Sequence, residues 1–127
     1  MEMIRKEDIT VLTSDFQDSH QLLWSENSLS ERVTITKVHV HPGKINRRHK
    51  HDQSEQIWIA IHGTATLLLL DHDQTMEFRE GDVVRFADGD VHGVMNNMEE
   101  EFIYISVTSP PINFRYAYHS QQEKKED

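Results

Sequence analysis

Residues Gly43 to Gly63 read GKINRRHKHDQSEQIWIAIHG. The second half, Gln56 to Ile61, is a run of β-branched and aromatic residues closed by His62-Gly63, the composition of a strand ending in a turn. In the first half His49 and His51 stand two apart, so on an extended chain both imidazoles leave from one face. Glu55 has the same parity. If the strand resumes after Asp52-Gln53-Ser54, its carboxylate returns to that face beside Ile57, Ile59 and Ile61. Trp58 has the opposite parity and is expected to point outward, where a large exposed aromatic marks a subunit interface.

The rest of the chain repeats this texture. Val, Ile and Thr number 9, 10 and 8, in short runs separated by turn residues. Further strands are predicted over Val33 to His41, Thr64 to Asp71, Thr75 to Phe78, Asp82 to Phe86, Val91 to Met95, Glu101 to Thr108 and Phe114 to Tyr118. Eight short strands joined by tight turns argue an all-β barrel or sandwich. No segment sustains an apolar i, i+3, i+4 pattern; Asp8 to Trp24 comes nearest and is allowed one short helix at most. Residues 1–32 are therefore expected to form an N-terminal arm, 33–118 the barrel, and the charged stretch His119 to Asp127 a disordered tail. The core candidates are Ile57, Ile59, Ile61, Val83, Phe86 and Val94, with Met95 and Met98 as gap fillers.

Composition excludes several function classes. The 127 residues carry 13 Lys and Arg against 22 Asp and Glu, a formal net charge of −9. This acidic balance argues against binding a phosphate backbone, the only basic cluster being Arg47 to His51. No apolar run is long enough for a membrane span, and the N-terminal residues lack the apolar core of a leader, so a cytoplasmic protein is expected. With no cysteine, any metal must be held by His, Asp or Glu.

A second segment complements the first. All five glycines lie at Gly43, Gly63, Gly81, Gly89 and Gly93, and His92 follows Gly89 by three residues and precedes Asn96 by four. Alone, RRHKHDQSE reads as a solvated basic loop. Joined to an imidazole from another strand, as a closed barrel would bring it, it reads as a metal site of His49, His51, Glu55 and His92. Three imidazoles and one carboxylate suit one divalent Mn, Fe, Co, Ni, Cu or Zn ion, with positions left for water or substrate.

These residues resemble the cupin superfamily, whose motifs are Gly-x5-His-x-His-x3,4-Glu-x6-Gly and Gly-x5-Pro-x-Gly-x2-His-x3-Asn. The second is matched at Gly81, Gly89, His92 and Asn96. There are two departures: Ala87 stands where the family has Pro, and seven residues rather than six separate Glu55 from Gly63. The first loosens a turn, and a β-bulge can absorb the second. The resemblance implies a small single-domain jelly roll, or double-stranded β-helix, with a metal on its inner face. Its members include dioxygenases, isomerases, epimerases, decarboxylases, lyases, cyclases and non-catalytic binders, so the fold leaves the reaction open.

The expected function is a metal-dependent cupin enzyme acting on a small polar organic substrate, of dioxygenase, isomerase or lyase type. The alternative is a cupin that binds a sugar or other metabolite without turnover. Glu55 is the candidate general base, and Tyr104 and Tyr118 are candidates to lend phenols to the pocket. His39 and His41 form a second His-x-His pair, read as partly exposed strand residues or donors behind the ligands. A homodimer is expected, with the arm pairing to a neighbour and Trp58 as the anchor.

Overall fold

The structure, a computed structural model, describes residues 1–70 and 74–118 and, for the backbone, 123–125. After a 3₁₀ turn at Lys6–Asp8 the chain runs through β1 (Thr10–Thr13), β2 (Gln17–Leu23), β3 (Thr34–Val40), β4 (Ile45–His49), β5 (Glu55–His62) and β6 (Thr64–Leu68). Then come β7 (Thr75–Arg79), β8 (Val83–Phe86), β9 (His92–Met95), β10 (Phe102–Ser109), a 3₁₀ helix at Phe114–Tyr118 and β11 (Glu123–Lys125). The strands form two antiparallel sheets, ordered β11-β1-β2-β3-β10-β5-β8 and β4-β9-β6-β7.

The expected all-β jelly roll is what forms. The inner faces meet in one core: Val38, Val40, Trp58, Ala60, Phe102 and Tyr104 from the larger sheet pack on Ala65, Leu67, Phe78 and Val94 from the smaller. Full burial of side chains of this size is worth about 1.5–3 kcal/mol each.

Five expectations are corrected. Residues 10–23 hold no helix and no free arm: they form β1 and β2, which pair with each other and with β3 inside the chain. They escaped detection because β2 (QDSHQLL) turns polar residues inward, burying Gln17, Ser19 and Gln21, so it lacks the usual alternation of apolar and polar residues. Ile45–His49 is a strand. Phe114–Tyr118, rich in aromatics, is a 3₁₀ helix rather than a strand. Within the predicted tail, Glu123–Lys125 pairs with β1, and the remainder of His119 to Asp127 lies outside the described residues.

The most consequential correction is the parity of β5. Burial alternates so that Gln56, Trp58 and Ala60 face inward, while Glu55, Ile57 and Ile59 face outward and only half-buried. Trp58 is 2% exposed, whereas Ile61 is 43% and Val83 64% exposed. The isoleucines sit opposite their like on β10, Ile59 against Ile105 and Ile57 against Val107, and cover the outer surface. The bulky interior positions go instead to Trp58, stacked on Tyr104 with ring centroids 4.2 Å apart. Near its end β5 carries a bulge, since Ile103 pairs with His62 and Tyr104 with Ala60, skipping Ile61.

Candidate metal centre and cavity

His49 ends β4 and His92 begins β9, and the two are direct cross-strand partners. His51 follows His49 by two residues, and its carbonyl accepts a hydrogen bond from the Gly89 amide at 2.8 Å. The second motif thereby pins the second histidine. The three imidazoles converge, with ring centroids 4.5 Å apart for His49 and His92, 5.1 Å for His49 and His51, and 5.4 Å for His51 and His92. One nitrogen from each lies within 4.8 Å of the others, and no other trio of His, Asp and Glu among the described residues does the same.

Gly93 makes this convergence possible. A Cβ there would come within 2.7 Å of the Asn46 carbonyl oxygen and 2.9 Å of the Arg48 nitrogen. The β4 backbone crosses at this point through an irregular register between Asn46 and His49, and only glycine lets it approach so closely.

The hydrogen bonds leave metal-binding nitrogens free. His49 Nδ1 donates to the Arg47 carbonyl at 2.7 Å and His92 Nδ1 to the Asp90 carbonyl at 3.0 Å. A carbonyl only accepts, so each Nδ1 carries the proton and each Nε2 keeps its lone pair. The Nε2 atoms of His51 and His92 are buried without a hydrogen-bond partner among the described residues, a costly arrangement for a polar atom that nothing satisfies. Burial pushes the His92 pKa down to about 4, with His49 adding to the effect. Burial and then His49 likewise lower that of His51. Neutral imidazoles with free lone pairs fit a divalent transition metal.

Glu55 is not brought into this group. Its carboxylate accepts from Arg85 Nη2 at 2.9 Å and Nε at 3.2 Å on the outward face of β5. The inward neighbour is Gln56, which gives Nε2 to Thr108 Oγ1 at 3.0 Å and takes Trp58 Nε1–H on Oε1 at 3.0 Å. Ala87 has its own compensation, because its N–H donates to Asp90 Oδ2 at 2.8 Å, a bond proline could not make. Asn96 is fully buried and structural, donating to the Val40 and Glu100 carbonyls at 3.0 and 2.8 Å.

His49 and His51 also line a cavity of about 340 Å³, shared with Gln17, Gln56, Trp58, Tyr104, Phe114 and Tyr118. Burial, with Tyr118 adding to it, pushes the Tyr104 phenol far above its ordinary value. Burial also raises Tyr118, against the opposing hydrogen bonds of Gln17 and Ser19. Gln17 Nε2 donates to Tyr118 Oη at 2.6 Å and its Oε1 accepts from Asn46 at 3.3 Å. Both tyrosines named from the sequence therefore reach the cavity, together with Gln17, Gln56 and Phe114, which sequence reasoning did not single out. His39 lies on the outward face of β3 and His41 just past its end, their Nδ1 atoms 3.3 and 2.9 Å from the Glu101 carboxylate.

A family model described as a cupin domain matches residues 36–108, more than half of the 127-residue chain. The chain belongs to the cupin family. No curated protein sequence matches it. Among solved structures, a Cupin 2 conserved barrel domain protein from Salinispora arenicola CNS-205 is 28% identical, with 76% of this chain and 79% of that one covered at a TM-score of 0.65. The polyketide cyclase RemF from Streptomyces resistomycificus is 18% identical over 86% of this chain and 79% of its own, at a TM-score of 0.75. KdgF from Halomonas sp. is 16% identical over 88% and 96%, at 0.72. The last two likenesses are of fold. The cupin frame also explains Glu55: six residues separate Gln56 from Gly63, so the amide holds the place the motif gives to its glutamate. That count was the available signal.

Proposed function

We propose that this cupin is a metal-dependent enzyme acting on a small polar organic molecule, with one divalent transition metal held by His49, His51 and His92. The observation that carries the reading is the convergence of three imidazoles beside a cavity, with the Nε2 atoms of His51 and His92 buried and without a hydrogen-bond partner among the described residues. A bound ion would act as Lewis acid on a substrate oxygen. Tyr104, buried and held in its protonated form, serves as a hydrogen-bond or proton donor, not a base. The Gln17 amide orients the Tyr118 hydroxyl. Glu55, engaged by Arg85, takes no part.

The test is mass spectrometry of sugar acids, keto acids and phenolic diketones incubated with Fe(II)-, Mn- and Zn-loaded protein, with and without O₂. Product only with Fe(II) and O₂ identifies a dioxygenase, and product without O₂ an isomerase or lyase. Unchanged return of every compound that binds refutes catalysis in favour of the binding-module reading. Tyr104→Phe should slow turnover while leaving metal content unchanged.

We also propose a cytoplasmic homodimer. The outward isoleucines of β5 and β10 take the interface role first given to Trp58, and a monomeric mass in light scattering would refute it.

A further inference from the structure

We infer that the cavity takes a carboxylate carried on a flat apolar frame, such as a single aromatic ring. This rests on the metal-site reading above and names the ligand class of the same site.

The first observation is charge. The chain carries 22 acidic residues and a net charge of −9, yet none of the described residues lining the cavity is Asp or Glu, and its charged side chains are Arg47, Arg48 and Lys50. Arg48 is committed to the Leu69 carbonyl at 2.7 Å and Lys50 shares its charge with Asp52 at 3.3 Å. Arg47 is exposed and forms no ion pair among the described residues. A basic mouth on an acidic molecule concentrates anions there and repels them elsewhere.

The second observation is the missing carboxylate. With Glu55 turned outward onto Arg85 and Gln56 in the inward place, the ligand set is three neutral imidazoles. A divalent ion on them keeps its whole charge of two, where a glutamate would have halved it. An anionic ligand oxygen is the natural complement.

The third is shape. The cavity, at about 340 Å³, lies near the small end of ligand pockets, which run from ~300 to 1,000 Å³. Its apolar lining is aromatic: Trp58 and Tyr104 stack at 4.2 Å, and Phe114 meets His51 edge-on at 5.8 Å. A planar ring packs on such surfaces.

Benzoate, its neutral isostere benzamide, the cation benzylamine, and acetate, which lacks the ring, separate these contributions when titrated by calorimetry into zinc-loaded and chelator-treated protein. Benzoate should bind the zinc-loaded protein at least about tenfold more tightly than the other three, the scale of one charge-assisted hydrogen bond. Arg47→Gln should weaken benzoate several-fold, leave benzamide unchanged and leave zinc content at the wild-type level. Benzamide, benzylamine or acetate binding as tightly as benzoate overturns the inference, as does wild-type benzoate affinity in Arg47→Gln or no benzoate binding at millimolar concentration. A protein that takes up no zinc yet prefers benzoate when metal-free refutes the metal-site reading alone.

Discussion

The chain contains two His-x-His pairs, His39 with His41 at the end of β3 and His49 with His51 at the end of β4, and the structure gives them opposite fates. The first points outward and shares one carboxylate, Glu101, between its two Nδ1 atoms, with His41 Nε2 a further 3.5 Å from Asp18. The second points inward, meets a third imidazole, and leaves His51 Nε2 buried without a hydrogen-bond partner among the described residues. Spacing two apart guarantees a common face and nothing more. What lies opposite that face decides whether a pair becomes a surface ion cluster or a metal site.

The largest effect should come from removing the support of the third imidazole, which the inward pair meets. Trp58 packs edge-on against His92 at 5.4 Å and stacks on Tyr104. Trp58→Ala should cost about 3–5 kcal/mol of stability, the usual range for a large core aromatic. Denaturant unfolding measures it, and a loss below 1 kcal/mol would place Trp58 outside the core after all.

Gly93→Ala tests the close crossing that sets His49 against His92. The added methyl meets backbone atoms rather than a flexible side chain, so β4 must shift. About 1–3 kcal/mol should be lost, together with a weaker hold on metal. Thermal unfolding with and without zinc reads both, and a variant stabilised by zinc as much as the wild type would show that the crossing does not position the imidazoles.

Acid should act on the two pairs in different ways. His92 has a folded pKa of about 4 against ~6.5 when unfolded, so the unfolded chain binds the extra proton first. The stability this group supports is complete above pH ~6.5 and is lost as pH falls through about 4. In the metal-free protein, His92→Gln should flatten the stability profile across that window; an unchanged slope would contradict the neutral buried imidazole.

The smallest effect belongs to the outward pair. Burial alone would raise Glu101, but the bonds from His41 and His39 outweigh it, so its pKa lies below the ordinary carboxylate value. Its contribution is present above the unfolded pKa and is lost as pH falls through the folded one. Being solvent-screened, Glu101→Gln should cost within about 1 kcal/mol at neutral pH and nothing near pH 2, as denaturant titration at the two pH values would show.

The comparison also marks how far the sequence could be read. The fixed offsets among Gly81, Gly89, His92 and Asn96 and the His49-x-His51 pair were legible because backbone geometry demands them: a turn amide on His51, a buried amide side chain bracing β3. The face of β5 was not. Ile-x-Ile-x-Ile looks like a core strand, and parity cannot be carried through the turn at Asp52 to Ser54, so Glu55 and Trp58 were placed on the wrong sides. β2 was illegible for the opposite reason, since its inward residues Gln17, Ser19 and Gln21 are polar.

The claim that three imidazoles and no carboxylate form the metal site is tested most directly by metal stoichiometry of tag-free protein, wild type beside Glu55→Gln and the His51→Ala, His92→Ala double variant. The account predicts about one divalent ion per chain in wild type and in Glu55→Gln, and almost none in the double variant. Loss of the ion in Glu55→Gln, or its retention in the double variant, would contradict it.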